Sequence, residues 1–297
     1  MQIAVMGAGA IGSLFGALLA REGYDVTLIG REAHVKAILE RGLRVSGLEE
    51  FNIRIKAFTR AVEADLFLFT VKSYDTEQAA RAIPVGGKTV VLTLQNGIGN
   101  EEIIASVVGV ERVISGKTSY GSTLVEPGHI RYTGAGETIV GELDGRVTER
   151  VRAIAELFNS AGIKTSIARD MRMKIWEKLI INAGINAITA ITGLKNGEIL
   201  KFEELKELMR LAIEEAVAVA RASGIAIRDD MVERTEAVAR ATAENQSSML
   251  QDVKRGKRTE IEAINGAIVK LGERYGIPTP VNRALTALVK GIEGRRI

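Results

Sequence analysis

Two sets of residues in this chain of 297 have types and spacing that could carry out chemistry. The first is Gly7-Ala8-Gly9-Ala10-Ile11-Gly12, which follows the strand-like run Gln2-Ile3-Ala4-Val5-Met6 and leads into a helix-forming segment at 13–22. In that setting Gly7 would make the tight turn, Gly9 would let backbone approach a pyrophosphate, and Gly12 would let helix and strand close up. The phosphates would then rest on the helix N-terminus, where unpaired N–H groups and the dipole favour negative charge. The second set is Lys178, Asn182 and Asn186, spaced i, i+4, i+8 so that they share one face of a helix. Ile175, Trp176, Leu179, Ile180, Ile185 and Ile188 cover much of the remaining surface, so the helix should be buried. A buried ammonium needs a partner and buried amides need hydrogen bonds, which makes a polar cleft the natural surrounding for the stripe. The bland alternative has Lys178 reaching solvent and the asparagines capping nearby backbone.

A dinucleotide site that prefers NAD(H) places an acidic residue at the end of the second strand, on the ribose 2′-hydroxyl. Arg31 stands there instead, and a guanidinium pairs with a 2′-phosphate, so NADP(H) is the expected cofactor. Glu32 beside it leaves NAD(H) possible. Lys72 follows another strand, on the edge where doubly wound sheets bind ligands, and could support the same phosphate or the adenine.

Other hydride-transfer chemistries lack their residues. The two histidines, His34 just past the second strand and His129 after Pro-Gly, both read as surface residues, so a His-based hydroxyacid dehydrogenase is disfavoured. No Tyr has Lys four positions on. The chain has no Cys, which removes disulfides, thiol catalysis and Cys-ligated metals, and no metal site is expected. Absence of Cys also suits a reducing cytoplasm.

With 46% hydrophobic and 26% charged residues and a net charge of +3, the composition is that of a folded protein without a broad basic field for nucleic acid. Lys254, Arg255, Lys257 and Arg258 form one local basic run, read as a solvated face or as a neighbour of an anionic ligand. The chain starts directly in a strand, so a leader peptide is not expected. The longest apolar stretch, 179–191, is too short to span a bilayer, so no membrane association is expected.

The elements that must position these residues fall into two expected domains. Over 1–168, apolar runs at 2–6, 25–30, 66–71, 89–94 and 112–116 alternate with helical segments, the pattern of a parallel sheet buried on both faces. An inserted hairpin is expected over 44–57, an antiparallel extension of the sheet over 120–141, then a helix at 147–159 and a strand at 164–167. Over 169–297 the texture is helical, with helices expected at 171–191, 203–223, 229–245, 259–275 and 281–292, and Gly224 and Gly276 as C-caps. The fold class is therefore an α/β Rossmann-type dinucleotide-binding domain followed by an all-α substrate-binding domain. The long apolar helix at 205–222 suggests a homodimer.

Over essentially its whole length the chain resembles the ketopantoate reductase family. The stretches that carry the likeness are GAGAIG, LQNGIGNEE around Asn96, WEKLIINAGINAITA around Lys178, and SSMLQDVKRGKRTEIEAINGAIV with Ser248 and Glu260. The resemblance implies a C-terminal domain like that of 6-phosphogluconate dehydrogenase, and NADPH-dependent reduction of 2-dehydropantoate to (R)-pantoate on the way to pantothenate and coenzyme A. It further implies Lys178 as general acid and Glu260 as the residue that positions it and the substrate. Asn182 and Asn186 fall near the substrate hydroxyl, Ser248 near its carboxylate, and Asn96 where nicotinamide and substrate meet. A hydroxyacid or opine dehydrogenase of the same architecture is the alternative enzyme, and a non-catalytic nicotinamide sensor the alternative from another class.

Overall fold

The computed structural model describes residues 1–295. Contacts divide the chain into two compact units, Met1–Gln95 with Gly99–Met171, and Asn96–Ile98 with the chain from Arg172 onward.

The first unit runs β1 (Gln2–Met6), α1 (Ala10–Arg21), β2 (Asp25–Ile29), α2 (Glu32–Arg41), β3 (Leu43–Gly47), β4 (Phe51–Ile53), β5 (Lys56–Phe58) and β6 (Leu66–Phe69). It continues through α3 (Thr76–Ala82), β7 (Val90–Thr93), α4 (Asn100–Val108), β8 (Val113–Thr118), β9 (Gly121–Glu126), β10 (His129–Gly134), β11 (Thr138–Gly141), α5 (Glu149–Ser160) and β12 (Thr165–Ile167). Its main sheet has eight strands in the order β12-β11-β8-β7-β6-β1-β2-β5. The central strands are parallel and apolar on both faces because helices cover each side: Ile3, Val5 and Leu68 join one core cluster, Ala4, Phe67 and Phe69 the other.

Two sequence expectations change here. Residues 56–58 do not belong to a hairpin with 44–46: β3 pairs with β4, whereas β5 leaves to pair parallel with β2, burying Ala57 and covering an otherwise open strand edge. The segment 120–141 extends the main sheet only through β11, which runs antiparallel to β8. Strands β9 and β10 instead join β3 and β4 in a separate sheet ordered β4-β3-β10-β9, with β10 parallel to β3. That sheet buries Ile130 and Tyr132 in the same core cluster as Phe15 of α1, whose ring meets Tyr120 edge-on at 5.5 Å.

The second unit holds α6 (Met171–Thr192) from Arg172 onward, α7 (Glu203–Ala222), α8 (Met231–Ala241), α9 (Ser248–Lys254), α10 (Asn265–Tyr275) and α11 (Pro280–Gly294). Leu179, Ile180, Ala183 and Ile188 of α6 pack with Met209, Ile213 and Ala216 of α7 and Ile268 of α10. Gly224 and Gly276 have φ of +78° and +69° just past α7 and α10, the left-handed conformation expected of C-caps. The helix expected at 259–275 starts only at Asn265, preceded by a 3₁₀ turn at Ile261–Ala263, because Ile264 departs from helical backbone at φ −108°, ψ −95°. Glu260 thus stands in a loop. Helix α9 was not anticipated; the Ser247 hydroxyl accepts the Leu250 N–H at 3.1 Å to start it. Among the described residues no helix is long and apolar enough to cross a membrane.

Candidate functional site

The glycine loop joins β1 to α1 as the sequence predicts, and each glycine has its own physical reason. Gly7 adopts φ +106°, and a Cβ there would sit 2.5 Å from the Val71 backbone nitrogen. A Cβ on Gly12 would lie 2.4 Å from both the Gly7 carbonyl oxygen and Thr70 Oγ1, so its absence lets α1 close on the strands. Gly9 is different: the nearest atom to a Cβ would be Gly7 O at 3.9 Å, leaving its surface open. The Ser13 N–H is the first to bond back within α1, to Gly9 O at 2.9 Å, and the first turn carries no acidic side chain. The N–H groups of Ala10, Ile11 and Gly12 thus lie in the first helical turn, where intrahelical acceptors are lacking, and this loop fits a dinucleotide pyrophosphate.

Arg31 follows β2 and is exposed; its carbonyl accepts the N–H groups of His34 and Val35 to start α2. Lys72 follows β6 and is half-buried. Since β1 lies between β2 and β6, these two cations flank the glycine loop from opposite sides.

Both histidines depart from expectation. His34 is only 5% exposed. Its Nδ1 accepts the Gly128 N–H at 3.0 Å, so Nε2 carries the proton and donates to Ser13 Oγ at 3.0 Å. Burial lowers its pKa below the ordinary histidine value. His129 is half-buried at the start of β10, where Nε2 lies 2.8 Å from Ser46 Oγ. Position after a strand or in a turn could not reveal that the second sheet folds over these rings.

In the second unit, α6 presents Lys178 and Asn182 half-buried and Asn186 at 6% exposure, on a helix whose remaining length from Trp176 to Ala190 is largely core. The helix also carries a buried carboxyl group not singled out from sequence. Glu177 is 3% exposed and accepts from Lys174 Nζ at 3.1 Å.

Asn96 and Glu260 come together in this unit: Asn96 Nδ2 donates to Glu260 Oε2 at 3.3 Å, and Glu260 is 6% exposed. The segment around Asn96 is registered twice more against the loop after Glu260. Gly97, at φ +86°, lies so close to Ala263 that a Cβ would be 2.6 Å from its carbonyl oxygen, and the Ile98 N–H donates to the same oxygen at 3.3 Å. Ser248 is exposed as the first residue of α9, whereas its neighbour Ser247 is buried and bonded to Thr189 of α6 at 2.6 Å. The basic run at 254–258 is exposed and ends just before Glu260.

Buried polar residues that sequence alone did not reveal hold these pieces. Asn265 Nδ2 donates to the Ala183 carbonyl, beside Asn182, at 3.1 Å. Asn196, mostly buried, donates to Thr242 Oγ1 at 3.0 Å, and its N–H bonds the Asn245 carbonyl. In the first unit, Glu101 of the LQNGIGNEE stretch is buried; burial pushes its pKa up, opposed by the Ser115 hydroxyl that donates to it at 2.7 Å. The available signal was the adjacent pair Glu101 and Glu102 in the first turn of a helix, which does not tell the buried carboxyl from the solvated one.

Residues 3–145 match the family model described as Ketopantoate reductase PanE/ApbA, and residues 170–293 match Ketopantoate reductase PanE/ApbA C terminal. The 2-dehydropantoate 2-reductase of Archaeoglobus fulgidus is 45% identical over 98% of both chains. Among solved structures, a PanE/ApbA family ketopantoate reductase from Ralstonia eutropha superimposes with a TM-score of 0.94 at 37% identity, covering 100% of this chain and 99% of that one. A D-mandelate dehydrogenase in complex with NADH and anilino(oxo)acetate reaches the same TM-score of 0.94 at 29% identity, with the same coverage.

Proposed function

The chain belongs to the ketopantoate reductase family, and from that premise we propose that it reduces 2-dehydropantoate to (R)-pantoate, an oxidoreductase step toward pantothenate and coenzyme A. NADP(H) is the preferred cofactor in this reading, with NAD(H) possible, no metal is required, and the working form is a cytoplasmic homodimer. Reduced nicotinamide, when bound, supplies the hydride. The protein's own part is to bind the pyrophosphate on the α1 N-terminus, to meet the 2′-phosphate with Arg31 and Lys72, and to handle the substrate oxygen.

That oxygen gains negative charge as the carbonyl is reduced, and the Lys178 ammonium protonates it. Asn182 and Asn186, on the same face, hydrogen-bond the substrate hydroxyl. Glu260 orients the ammonium and the substrate and anchors Asn96. Ser248 takes the substrate carboxylate. The observation that carries the reading is the α6 stripe: an ammonium and two amides aligned on one face of a helix that is otherwise core.

One observation favours a second reading, reduction of an aromatic 2-oxo acid, because the D-mandelate dehydrogenase fits this fold as well as the ketopantoate reductase does. A spectrophotometric assay of NADPH oxidation with ketopantoate and with phenylglyoxylate separates them. We expect kcat/KM to favour ketopantoate on the order of 10²-fold or more, since a site built to hydrogen-bond a hydroxyl rejects a substrate lacking it. The opposite preference would establish the second reading, and nucleotide binding without turnover of either acid would point to a sensor.

A further inference from the structure

Strand β5 borders β2 at the edge of the main sheet, while β6 lies beyond β1 on the other side. Ile29 stands opposite Phe58 in the parallel pair, and the Gly30 N–H donates to Phe58 O at 3.0 Å, so the pairing continues past the end of β2. The chain then leaves β5 through Thr59 and Arg60 on the same carboxyl edge as Gly30 and Arg31. Arg60 is held there from both sides: Ala57 before it is buried, and Ala61 and Val62 after it pack against the cluster containing Met6 and Ile29.

The basic residues before and after β5 are not equivalent. Lys56 pairs with Asp25 at 2.7 Å, and Arg54 donates to the carbonyls of Leu39 and Glu40 at 3.2 Å. Arg60 is exposed, and among the described residues neither Arg60 nor Arg31 has an ion pair or side-chain hydrogen bond. Neighbouring strands are about 4.8 Å apart, so two uncompensated guanidinium groups leave adjacent strand ends, where they repel unless an anion joins them.

We propose that Arg60 is a second specificity-determining residue for the dinucleotide, clamping the adenosine 2′-phosphate together with Arg31. This rests on the NADP(H) reading above. Arg60 reaches that phosphate from the strand next to β2, whereas Lys72 reaches it from across the glycine loop. A planar guanidinium on each side matches phosphate geometry and gives charge-assisted hydrogen bonds that a 2′-hydroxyl does not return.

The test measures the Kd of NADPH and NADH by fluorescence for the wild type, Arg31→Ala, Arg60→Ala and Arg60→Lys, with the thermal midpoint of each variant as a control for folding. Arg60→Ala is expected to weaken NADPH about tenfold and to leave NADH within about twofold, with Arg60→Lys between it and the wild type. The proposal is overturned, with the NADP(H) reading intact, if Arg31→Ala changes the NADPH preference and Arg60→Ala does not. It is also overturned if Arg60→Ala weakens both nucleotides equally. A wild type that binds NADPH and NADH alike would remove the NADP(H) reading itself and this clamp with it.

Discussion

Asn96 and Glu260 are joined by a 3.3 Å hydrogen bond although 164 positions separate them in sequence. With Gly97 packed on Ala263 and Ile98 bonded to it, the two segments share a register that sets where the Asn96 amide points. Under the proposed function, Glu260→Ala removes both the acceptor and the charge, and kcat/KM for the 2-oxo acid should fall on the order of 10²-fold with NADPH affinity nearly unchanged. Glu260→Gln keeps an oxygen for Asn96 and should retain more activity than the alanine variant. Steady-state kinetics with equilibrium nucleotide binding checks this; wild-type turnover in Glu260→Ala would remove the residue from the mechanism.

Lys178→Ala should lower turnover by on the order of 10² to 10⁴-fold while NADPH still binds, because the loss falls on proton transfer and charge stabilisation, not on the nucleotide. Lys178→Arg is expected to recover little of it. A guanidinium keeps the positive charge but does not give up a proton near neutrality. Near-normal turnover in the alanine variant would end the assignment.

His34 links the start of α1 to the Pro127–Gly128 turn as a neutral ring, its pKa lowered by burial from the ordinary 6.5. Protonating Nδ1 would set a second hydrogen against the Gly128 N–H. Because the folded value lies below the unfolded one, the unfolded chain binds the proton more readily. The contribution to stability is therefore complete above about pH 6.5 and is lost as pH falls through the region below it. Melting curves between pH 5 and 8 should show a shallower acid decline for His34→Gln than for the wild type, even though the variant starts from a lower Tm at pH 8. Parallel declines would show that His34 carries none of the linkage.

Much of this molecule could be read from local pattern. The turn at Gly7, the parallel strands around it, the face shared by Lys178, Asn182 and Asn186, and the caps at Gly224 and Gly276 each depend on residues a few positions apart. What escaped depends on partners far along the chain. Residues 56–58 became a main-sheet strand because β2 had an open edge, and β9 and β10 turned away because α1 offered an apolar surface for a second sheet. Glu260 left its expected helix for a loop that meets Asn96, and His34 is buried because Gly128 and Ser13 receive it.

The same limit hid a polar node whose removal gives a stability test. Asn282 is fully buried in the first turn of α11, where it donates to the Ala212 carbonyl at 3.0 Å and accepts from Asn265 Nδ2 at 3.0 Å. The Glu215 carboxylate of α7 takes the first-turn N–H groups of Val281 and Asn282 at 2.8 and 2.9 Å, doing what the Thr279 side chain does not. Asn282→Ala leaves the Ala212 carbonyl and the Asn265 amide without this partner and should lower unfolding free energy by about 2 to 4 kcal/mol in urea titrations. Asn282→Asp should be worse at neutral pH, since it sets a second carboxylate against Glu215 in a dry site. That burial and repulsion would hold the new carboxyl's folded pKa above its unfolded value, so the penalty grows as pH rises and the gap to the alanine variant should narrow as pH falls toward 5. A gap that stays constant with pH would mean that the network does not confine charge there.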